Sequence, residues 1–234
     1  MNRLQTFIED VELVLSSTDD EHEITERIAR RLSDLMAGGY RLPPEVTRPS
    51  SERHVTYPLY IAPDDSWSMA SVVWDVGQRT PVHSHETWGV AGIFAGIEQE
   101  VRYLKPTGPT VCPLTPAGEE RWEPGQVTVC CTTDDDVHAV TAVGEEPTVG
   151  IHVYGGNIDT IRRRSYDPVS GEVRWFVSGW DSPEGSSGLE LSGAPAHVQS
   201  QAHSAEADQP ERDRQAAAGH TNAAAPVPGP VAPR

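Results

Sequence analysis

The chain has 234 residues, a formal net charge of −17 and one lysine, Lys105. Such an acidic chain repels the phosphate backbone of nucleic acids and anionic membrane surfaces, so we expect neither as a partner. A hydrophobic content of 37% supports a buried core, while 20 glycines and 20 prolines indicate many turns. We therefore expect one main folded domain.

The cysteines and the first residues indicate the compartment. Cys112, Cys130 and Cys131 are odd in number and form no CxxC pair, which favours reduced thiols over a disulfide framework. The N-terminus alternates apolar and acidic residues, and no apolar run is long enough to cross a bilayer. These features predict a cytoplasmic protein.

Two segments at the start of the chain carry apolar residues at helical spacing. The first ends at Ser16 and Ser17, and the second begins with a capping box of Thr18 and Glu21. The two apolar stripes are Leu4, Phe7, Ile8, Val11, Val14 and Leu15, then Ile24, Ile28, Leu32, Leu35 and Met36. We predict that residues 1–45 form a helical pair that packs on the outside of a barrel. A partner-binding arm is the alternative.

From about Val46 the pattern changes to short strands separated by turn residues. Strands are predicted within 57–61, 68–74, 89–100, 101–104, 126–132 and 148–154, with a loop over 106–116. This spacing predicts an all-β, double-sheet jelly roll for residues 46–180, preceded by the two helices. Periodicity alone does not separate it from another sandwich or barrel.

The composition changes again after residue 180. No aromatic residue follows, and Ala, Pro, Gly, Ser and Gln dominate. Such a segment cannot bury enough apolar area to offset the entropy of ordering it. We predict that residues 181–234 form a disordered tail.

Two histidines, His83 and His85, stand two residues apart in the stretch 77–98, GQRTPVHSHETWGVAGIFAGIE. The local period is that of a strand, so both imidazoles should leave the same face. Two neutral imidazoles on one strand need only one or two further donors to bind a borderline divalent metal. An exposed or core histidine pair is the simpler alternative for a bare HxH.

The context of the pair resembles the first motif of the cupin superfamily, G(x)5HxH(x)3-4E(x)6G, with Gly77 and Gly96 as its glycines and Gly89 in place of the glutamate. A motif without that carboxylate is similar to the motif of the thiol dioxygenases, the group that includes cysteine dioxygenase and 3-mercaptopropionate dioxygenase. These enzymes hold Fe(II) with three histidines. Their third histidine lies roughly fifty residues beyond the pair, as His138 does here. The resemblance therefore implies a cupin jelly roll, or double-stranded β-helix, with a three-histidine iron site.

The same family carries a Ser-x-His-x-Tyr set on a later strand, and this chain has Gly150, His152 and Tyr154 at those positions. The resemblance implies that Tyr154 donates a hydrogen bond to bound oxygen or substrate and that His152 orients it. Arg163 follows Tyr154 by the interval of the substrate-binding arginine in mercaptopropionate dioxygenases, and a guanidinium suits a carboxylate. We predict that Trp88 helps to wall the pocket.

Other residues near the site receive weaker roles. Trp74 is a second candidate for the pocket wall, while Glu86 should point away from His85 and not bind the metal. Residues 134–136, all aspartates, fit a solvated turn better than a hard-cation site. In some thiol dioxygenases a cysteine after the HxH pair crosslinks to the active-site tyrosine, but Gly89 and Val90 stand in that region here, so we expect no crosslink.

The resemblance implies a non-haem Fe(II) thiol dioxygenase that uses O2 to convert a small thiol carboxylate, 3-mercaptopropionate or a cysteine-like compound, to the sulfinic acid. Val55, Thr56 and Tyr57 stand where cysteine-preferring animal enzymes carry their arginine, which favours a thiol acid. We expect a monomer or small homo-oligomer. The alternatives are another metal-dependent cupin enzyme, an isomerase or hydrolase, and a non-catalytic cupin that binds a ligand.

Overall fold

The computed structural model describes residues 2–106, 112–134 and 136–183, so nearly all of the predicted tail, 184–234, lies outside the described residues. Helices α1 (Arg3–Leu15) and α2 (Glu21–Ala37) come first, followed by a short 3₁₀ helix at Pro44–Thr47. The strands are β1 (Val55–Ile61), β2 (Ser68–Trp74), β3 (Val82–His83), β4 (Gly89–Ala95), β5 (Glu98–Tyr103), β6 (Pro116–Trp122), β7 (Val127–Cys130), β8 (Val137–Ala142), β9 (Thr148–Tyr154), β10 (Arg163–Tyr166) and β11 (Val173–Phe176).

The strands form two antiparallel sheets. The five-stranded sheet has the order β1-β2-β9-β4-β7, and the six-stranded sheet has the order β11-β10-β3-β8-β5-β6. From β2 onwards the chain passes back and forth between the sheets, with only the hairpins β5-β6 and β10-β11 staying in one sheet. This alternation is the pattern of a double-stranded β-helix, and it confirms the predicted jelly roll with two leading helices.

The helices pack on the outer face of the five-stranded sheet. Their buried residues share one hydrophobic cluster with outward-facing side chains of that sheet, including Ile151 and Val153 of β9. Gly92 of β4 allows the closest approach, because a β-carbon there would lie 2.8 Å from Met36 Cε and 3.0 Å from Leu32 Cδ2. None of the helices among the described residues is both long and apolar enough to cross a membrane.

The start of α2 differs from the prediction. Asp20, and not Thr18, is the N-cap: its side chain accepts a hydrogen bond from the Glu23 backbone N–H at 2.9 Å. Thr18 Oγ1 instead accepts from the Asp20 backbone N–H and donates to Glu23. An aspartate caps a helix at least as well as a threonine and its charge favours the helix N-terminus, so the helix begins two residues later than the predicted cap implies.

The strand predictions need correction in several places, since β8, β10 and β11 were also not among the predicted strands. The predicted strand over 89–100 is divided at Gly96, which adopts φ +74° and begins the turn between β4 and β5. A β-carbon at Gly96 would lie 2.6 Å from the Pro147 carbonyl oxygen, so only glycine fits this turn. Strand β6 was not predicted, because its sequence PAGEERW is polar and almost fully exposed and so lacks a two-residue apolar period.

Candidate metal centre

Three predicted ligands meet inside the barrel. His83 of β3 pairs directly with His138 of β8, and His85 follows two residues after His83. One ring nitrogen from each of the three histidines lies within 4.8 Å of the others. Their ring centroids are 4.8 to 5.0 Å apart. This spacing suits three imidazoles that converge on one divalent ion.

Each ring is held through Nδ1, which leaves Nε2 for a metal. Nδ1 of His83 lies 3.0 Å from the Pro81 carbonyl oxygen, Nδ1 of His85 lies 3.4 Å from the Cys130 sulfur, and Nδ1 of His138 lies 2.6 Å from a Glu100 oxygen. The Pro81 carbonyl and the Glu100 carboxylate accept a hydrogen bond from an Nδ1–H, and the Cys130 sulfur is able to accept one as well. A proton on Nδ1 is the tautomer that coordinates through Nε2. Nε2 of His138 is buried without a hydrogen-bond partner among the described residues, as an unliganded metal donor would be.

The two histidines of the motif do not share a regular strand, contrary to the prediction. Strand β3 ends at His83, and Glu86 adopts φ +58°, a left-handed conformation that no continuous strand contains. The His85 backbone N–H donates instead to the Asp136 carboxylate at 3.2 Å. His85 is therefore positioned by a side chain from the loop before β8, and Asp136 is a buried anchor rather than part of a solvated turn.

Burial sets the protonation state of the cluster. It lowers the pKa of both His83 and His85 well below the usual value, and the neighbouring His138 lowers both further. Both rings are therefore neutral at pH 7, the form that binds a metal.

Glu100 of β5 supplies the carboxylate that holds His138. Burial opposes its charge, but the hydrogen bond and charge of His138, with Arg102 and the Trp122 indole N–H, outweigh burial and bring the pKa of Glu100 to about 2. Its Oε2 accepts from Trp122 Nε1 at 2.8 Å and from Arg102 at 3.2 Å. Glu100 was not predicted; its alternation with Glu98 on β5 is the signal that marks two acids on the inner face.

A cavity of about 400 Å³ opens beside the three histidines. Its lining includes Trp74, Tyr154 and Arg163, together with apolar residues such as Val72 and Val140. A space of this size accommodates a small organic molecule, and its apolar wall with a few polar groups is typical of a ligand site.

Arg163 differs from its two arginine neighbours. Its guanidinium lies 4.7 Å from the centre of the Phe176 ring and donates to the Ser178 hydroxyl. Its Nε is buried without a hydrogen-bond partner among the described residues. Arg164, by contrast, binds both oxygens of Glu86, at 2.7 and 3.0 Å. Glu86 is thus directed to the surface arginine, and it is not a member of the histidine cluster.

His152 and Tyr154 lie side by side on the cavity face of β9. The Tyr154 hydroxyl and Nδ1 of His152 are 2.8 Å apart and share a hydrogen bond, and the Tyr154 ring centre lies 5.6 Å from that of His85. Burial raises the pKa of Tyr154, so the phenol keeps its proton at neutral pH. Burial also lowers the pKa of His152, to about 3, so the imidazole is neutral.

The two tryptophans predicted near the pocket lie on different sides of the five-stranded sheet. Trp74 lines the cavity, and its ring centre lies 5.7 Å from that of His152. The structure does not bring Trp88 to the cavity lining, because Trp88 packs in the outer hydrophobic cluster and its indole contacts Gly155. Strand alternation explains this, since Trp88 precedes Gly89, which faces inward.

Cys130 reaches the centre, whereas Cys131 does not. The Cys130 sulfur lies 2.9 Å from the position of a β-carbon on Gly89, so it fills the space that a side chain at residue 89 would take. Burial raises the pKa of the Cys130 thiol, which therefore stays protonated and is a poor metal ligand. Cys131 points outward and forms, with His22 and Asp134, a second close group whose other two members are exposed.

No family model matches the chain. Similar solved structures include TT1209 from Thermus thermophilus, which is 18% identical, covers 50% of this chain and 96% of its own, and has a TM-score of 0.39. A conserved protein with a double-stranded β-helix domain from Klebsiella pneumoniae is 14% identical over 58% and 96% of the chains (TM-score 0.36). An RmlC-like cupin protein from Desulfovibrio desulfuricans is 21% identical over 50% and 95% (TM-score 0.34). These TM-scores lie below 0.5, so the fold assignment rests on the strand pairing described above.

Proposed function

We propose that this protein is a non-haem iron thiol dioxygenase that converts a small thiol carboxylate and O2 to the sulfinic acid. One observation carries the proposal: the three-histidine cluster faces a cavity that also contains a buried arginine, Arg163, and a protonated tyrosine, Tyr154. A metal donor set, a carboxylate-binding group and a proton donor are the three parts that this reaction requires.

The residues fit a ferrous ion. His83, His85 and His138 would hold it through their Nε2 atoms, and every Nδ1 has a neighbour that is able to accept its hydrogen. Bound there, iron would supply the redox chemistry by which a thiolate reacts with O2. The cluster contains no carboxylate, since Glu86 is paired with Arg164 and residue 89 is a glycine. Three neutral ligands leave the charge of the ion uncompensated, which favours binding of an anionic thiolate.

Arg163 would bind the substrate carboxylate. Its side chain is only 7% exposed, and its planar guanidinium has a free Nε–H directed to no group among the described residues. A buried cation without a carboxylate partner is costly, so a carboxylate that enters the cavity gains a strong, oriented hydrogen bond. The remaining lining, with Trp74 and Val72, would give the thiol end an apolar wall.

Tyr154 and His152 would control the proton next to the reacting atoms. The raised pKa of Tyr154 keeps its O–H as a hydrogen-bond donor, and the 2.8 Å bond to His152 fixes the direction of the phenol. Such a preorganised donor stabilises negative charge that develops beside it during the reaction. The positions of these two residues favour an oxygenase over the isomerase or hydrolase alternative.

The decisive experiment measures oxygen uptake by anaerobically iron-loaded protein with 3-mercaptopropionate, cysteine and 2-mercaptoethanol, and quantifies sulfinate in the same samples. We expect one sulfinate per O2 with a thiol acid. In Arg163→Gln, KM for 3-mercaptopropionate should rise about 10- to 100-fold, the cost of losing a charge-assisted bond, with little change for 2-mercaptoethanol, which has no carboxylate.

Arg162→Gln is the matched control, because Arg162 stacks on Trp175 at 5.1 Å and does not line the cavity. Its kinetics should equal those of the wild type. Full iron occupancy without oxygen uptake on any of the three thiols would contradict the dioxygenase and favour another metal-dependent chemistry in the same cavity.

A further inference from the structure

Two buried polar atoms behind Tyr154 have no role in the site described so far. Oε1 of Glu98, on β5, and Nε2 of His152, on β9, are both buried and lack a hydrogen-bond partner among the described residues. Glu98 as a whole is 3% exposed and His152 is 9% exposed. Buried polar atoms are seldom left unpaired in folded proteins, because each costs free energy comparable to a lost hydrogen bond.

The two atoms border the same point in space. A β-carbon on Gly150 would lie 2.6 Å from Nε2 of His152 and 3.5 Å from Oε1 of Glu98. The atoms are therefore separated by no more than the sum of these distances. A single water molecule with two hydrogen bonds of about 2.8 Å each bridges separations of up to about 5.6 Å, which is most of that range. Gly150 makes this possible, because any larger residue would push the imidazole away from the backbone.

The protonation states of the two groups are complementary. Burial raises the pKa of Glu98 to about 8, with the charge of Glu100 as a second cause, so the Glu98 carboxyl is mostly neutral at pH 7 and has a proton to donate. His152 is neutral, as described above, so one of its nitrogens accepts a hydrogen bond while the other donates.

We infer that Glu98 is a positioning residue for Tyr154: its carboxyl group donates a hydrogen bond, through one water molecule, to Nε2 of His152. This places the imidazole proton on Nδ1, which then donates to the Tyr154 oxygen. The phenol O–H is left to point into the cavity. Glu98 thereby selects the histidine tautomer that directs the tyrosine proton toward the substrate. The catalytic benefit rests on the function proposed above, but the tautomer does not.

The test observes the tautomer directly. The full chain, labelled with ¹⁵N-histidine and loaded with diamagnetic zinc, is studied by long-range ¹H–¹⁵N NMR, and His152 is assigned by the signals lost in His152→Gln. We expect a protonated Nδ1 and a hydrogen-bonded, unprotonated Nε2 in the wild type. Glu98→Gln, whose amide also donates, should keep this pattern, whereas Glu98→Leu should shift it to the other tautomer or a mixture.

Gly150→Ala provides a second, independent perturbation, because its methyl group would occupy the position 2.6 Å from Nε2 and displace both water and ring. It should change the His152 signals as Glu98→Leu does, while zinc stoichiometry and the backbone amide spectrum stay those of a folded protein. If the His152 signals of folded Glu98→Leu match the wild type, the inference is wrong.

The activity measurement separates this inference from the proposed function. If thiols are oxidised, Glu98→Leu should lower kcat about tenfold or more, as loss of an oriented proton donor does, with KM within twofold, and Glu98→Gln should restore most of kcat. A wild type that oxidises no thiol but shows the tautomer change would overturn the proposed function and retain the role of Glu98. Thiol oxidation by the wild type, together with an unchanged His152 tautomer in Glu98→Leu, would support the proposed function and overturn the role of Glu98.

Discussion

The two faces of strand β9 are both buried but differ in the chemistry of their side chains. All seven of its residues are buried. Val149, Ile151 and Val153 face outward into the hydrophobic cluster shared with the helices. Gly150, His152 and Tyr154 face inward, toward the cavity and the atoms around it. Alternation along one strand thus separates an apolar layer that stabilises the fold from a polar layer that performs chemistry.

The difference shows where this fold tolerates unpaired polar groups. The outer layer is formed by apolar side chains, whereas the inner layer and its surroundings contain buried nitrogens that lack a partner among the described residues, including those of His138, His152 and Arg163. Stability alone would disfavour such groups. Their concentration around one cavity is the strongest physical sign that ligands complete the inner layer.

The largest effect should follow from removing an inner ligand. His138→Gln, which nearly preserves volume, should abolish stoichiometric binding of a divalent metal, because two histidines remain where three converge. Metal content after dialysis checks this. His22→Gln, which alters the exposed group of His22, Cys131 and Asp134 instead, should leave the stoichiometry unchanged. Wild-type affinity in His138→Gln would show that the metal lies elsewhere.

Substitution of an outer residue should lower the stability of the fold without affecting metal binding. Ile151 is 0% exposed, so Ile151→Ala should lower the free energy of unfolding by about 2–5 kcal/mol. Because the side chain points away from the cavity, the folded variant should still bind one metal per chain. Urea unfolding of the metal-free protein measures the first quantity. Val177→Ala, at a site 54% exposed, should change stability by less than about 0.5 kcal/mol.

The effect spread over the widest range of conditions concerns pH. Glu98 has a folded-state pKa of about 8, above its ordinary value of 4.5, so the folded protein binds this proton more tightly than the unfolded chain. The resulting stabilisation is complete below pH 4.5 and is lost as the pH rises toward 8, with a slope that reaches about 1 kcal/mol per pH unit. Urea unfolding of metal-free protein at several pH values should show this decline.

Glu98→Gln is the control for the pH effect, because its amide has no proton to lose. Its unfolding free energy should depend less steeply on pH than that of the wild type between pH 5 and 8. Parallel curves for the two proteins would mean that Glu98 ionises in the folded state as it does in water, and the inner layer would then be more hydrated than its burial indicates.

The sequence predicted the outer layer well, because period and propensity are local signals. The apolar stripes of α1 and α2 and the β-rich run of β2 all correspond to observed elements. Predictions failed where a local signal was weak or ambiguous. Strand β6 is polar and lacks an apolar period. Gly96 forms a turn within a run of apolar residues. Asp20 and Thr18 are both suitable N-cap residues for the same helix, and the structure uses Asp20.

The inner layer was predictable only where a motif marked it. Spacing singled out His83, His85 and His138, which the structure brings together. Glu100, Asp136 and Cys130, which hold these ligands, were not assigned that role. They come from strands and loops far apart in the chain, so only the pairing of the two sheets reveals the contacts. Trp88 illustrates the converse case: it is close to the histidine pair in sequence but packs in the outer cluster, because nearness in sequence does not decide which face a side chain takes.

Strand β6, which the sequence pattern did not reveal, has a consequence for the behaviour of the protein in concentrated solution. It forms one edge of the six-stranded sheet, where unpaired backbone groups invite another chain to add a strand. Its first residue is a proline, and Glu119, Glu120 and Arg121 cover the edge with exposed charge. A proline cannot donate to a new ladder, and like charges on a second acidic copy repel. The exposed polarity of β6 thus protects a cavity-bearing sheet against edge-to-edge aggregation.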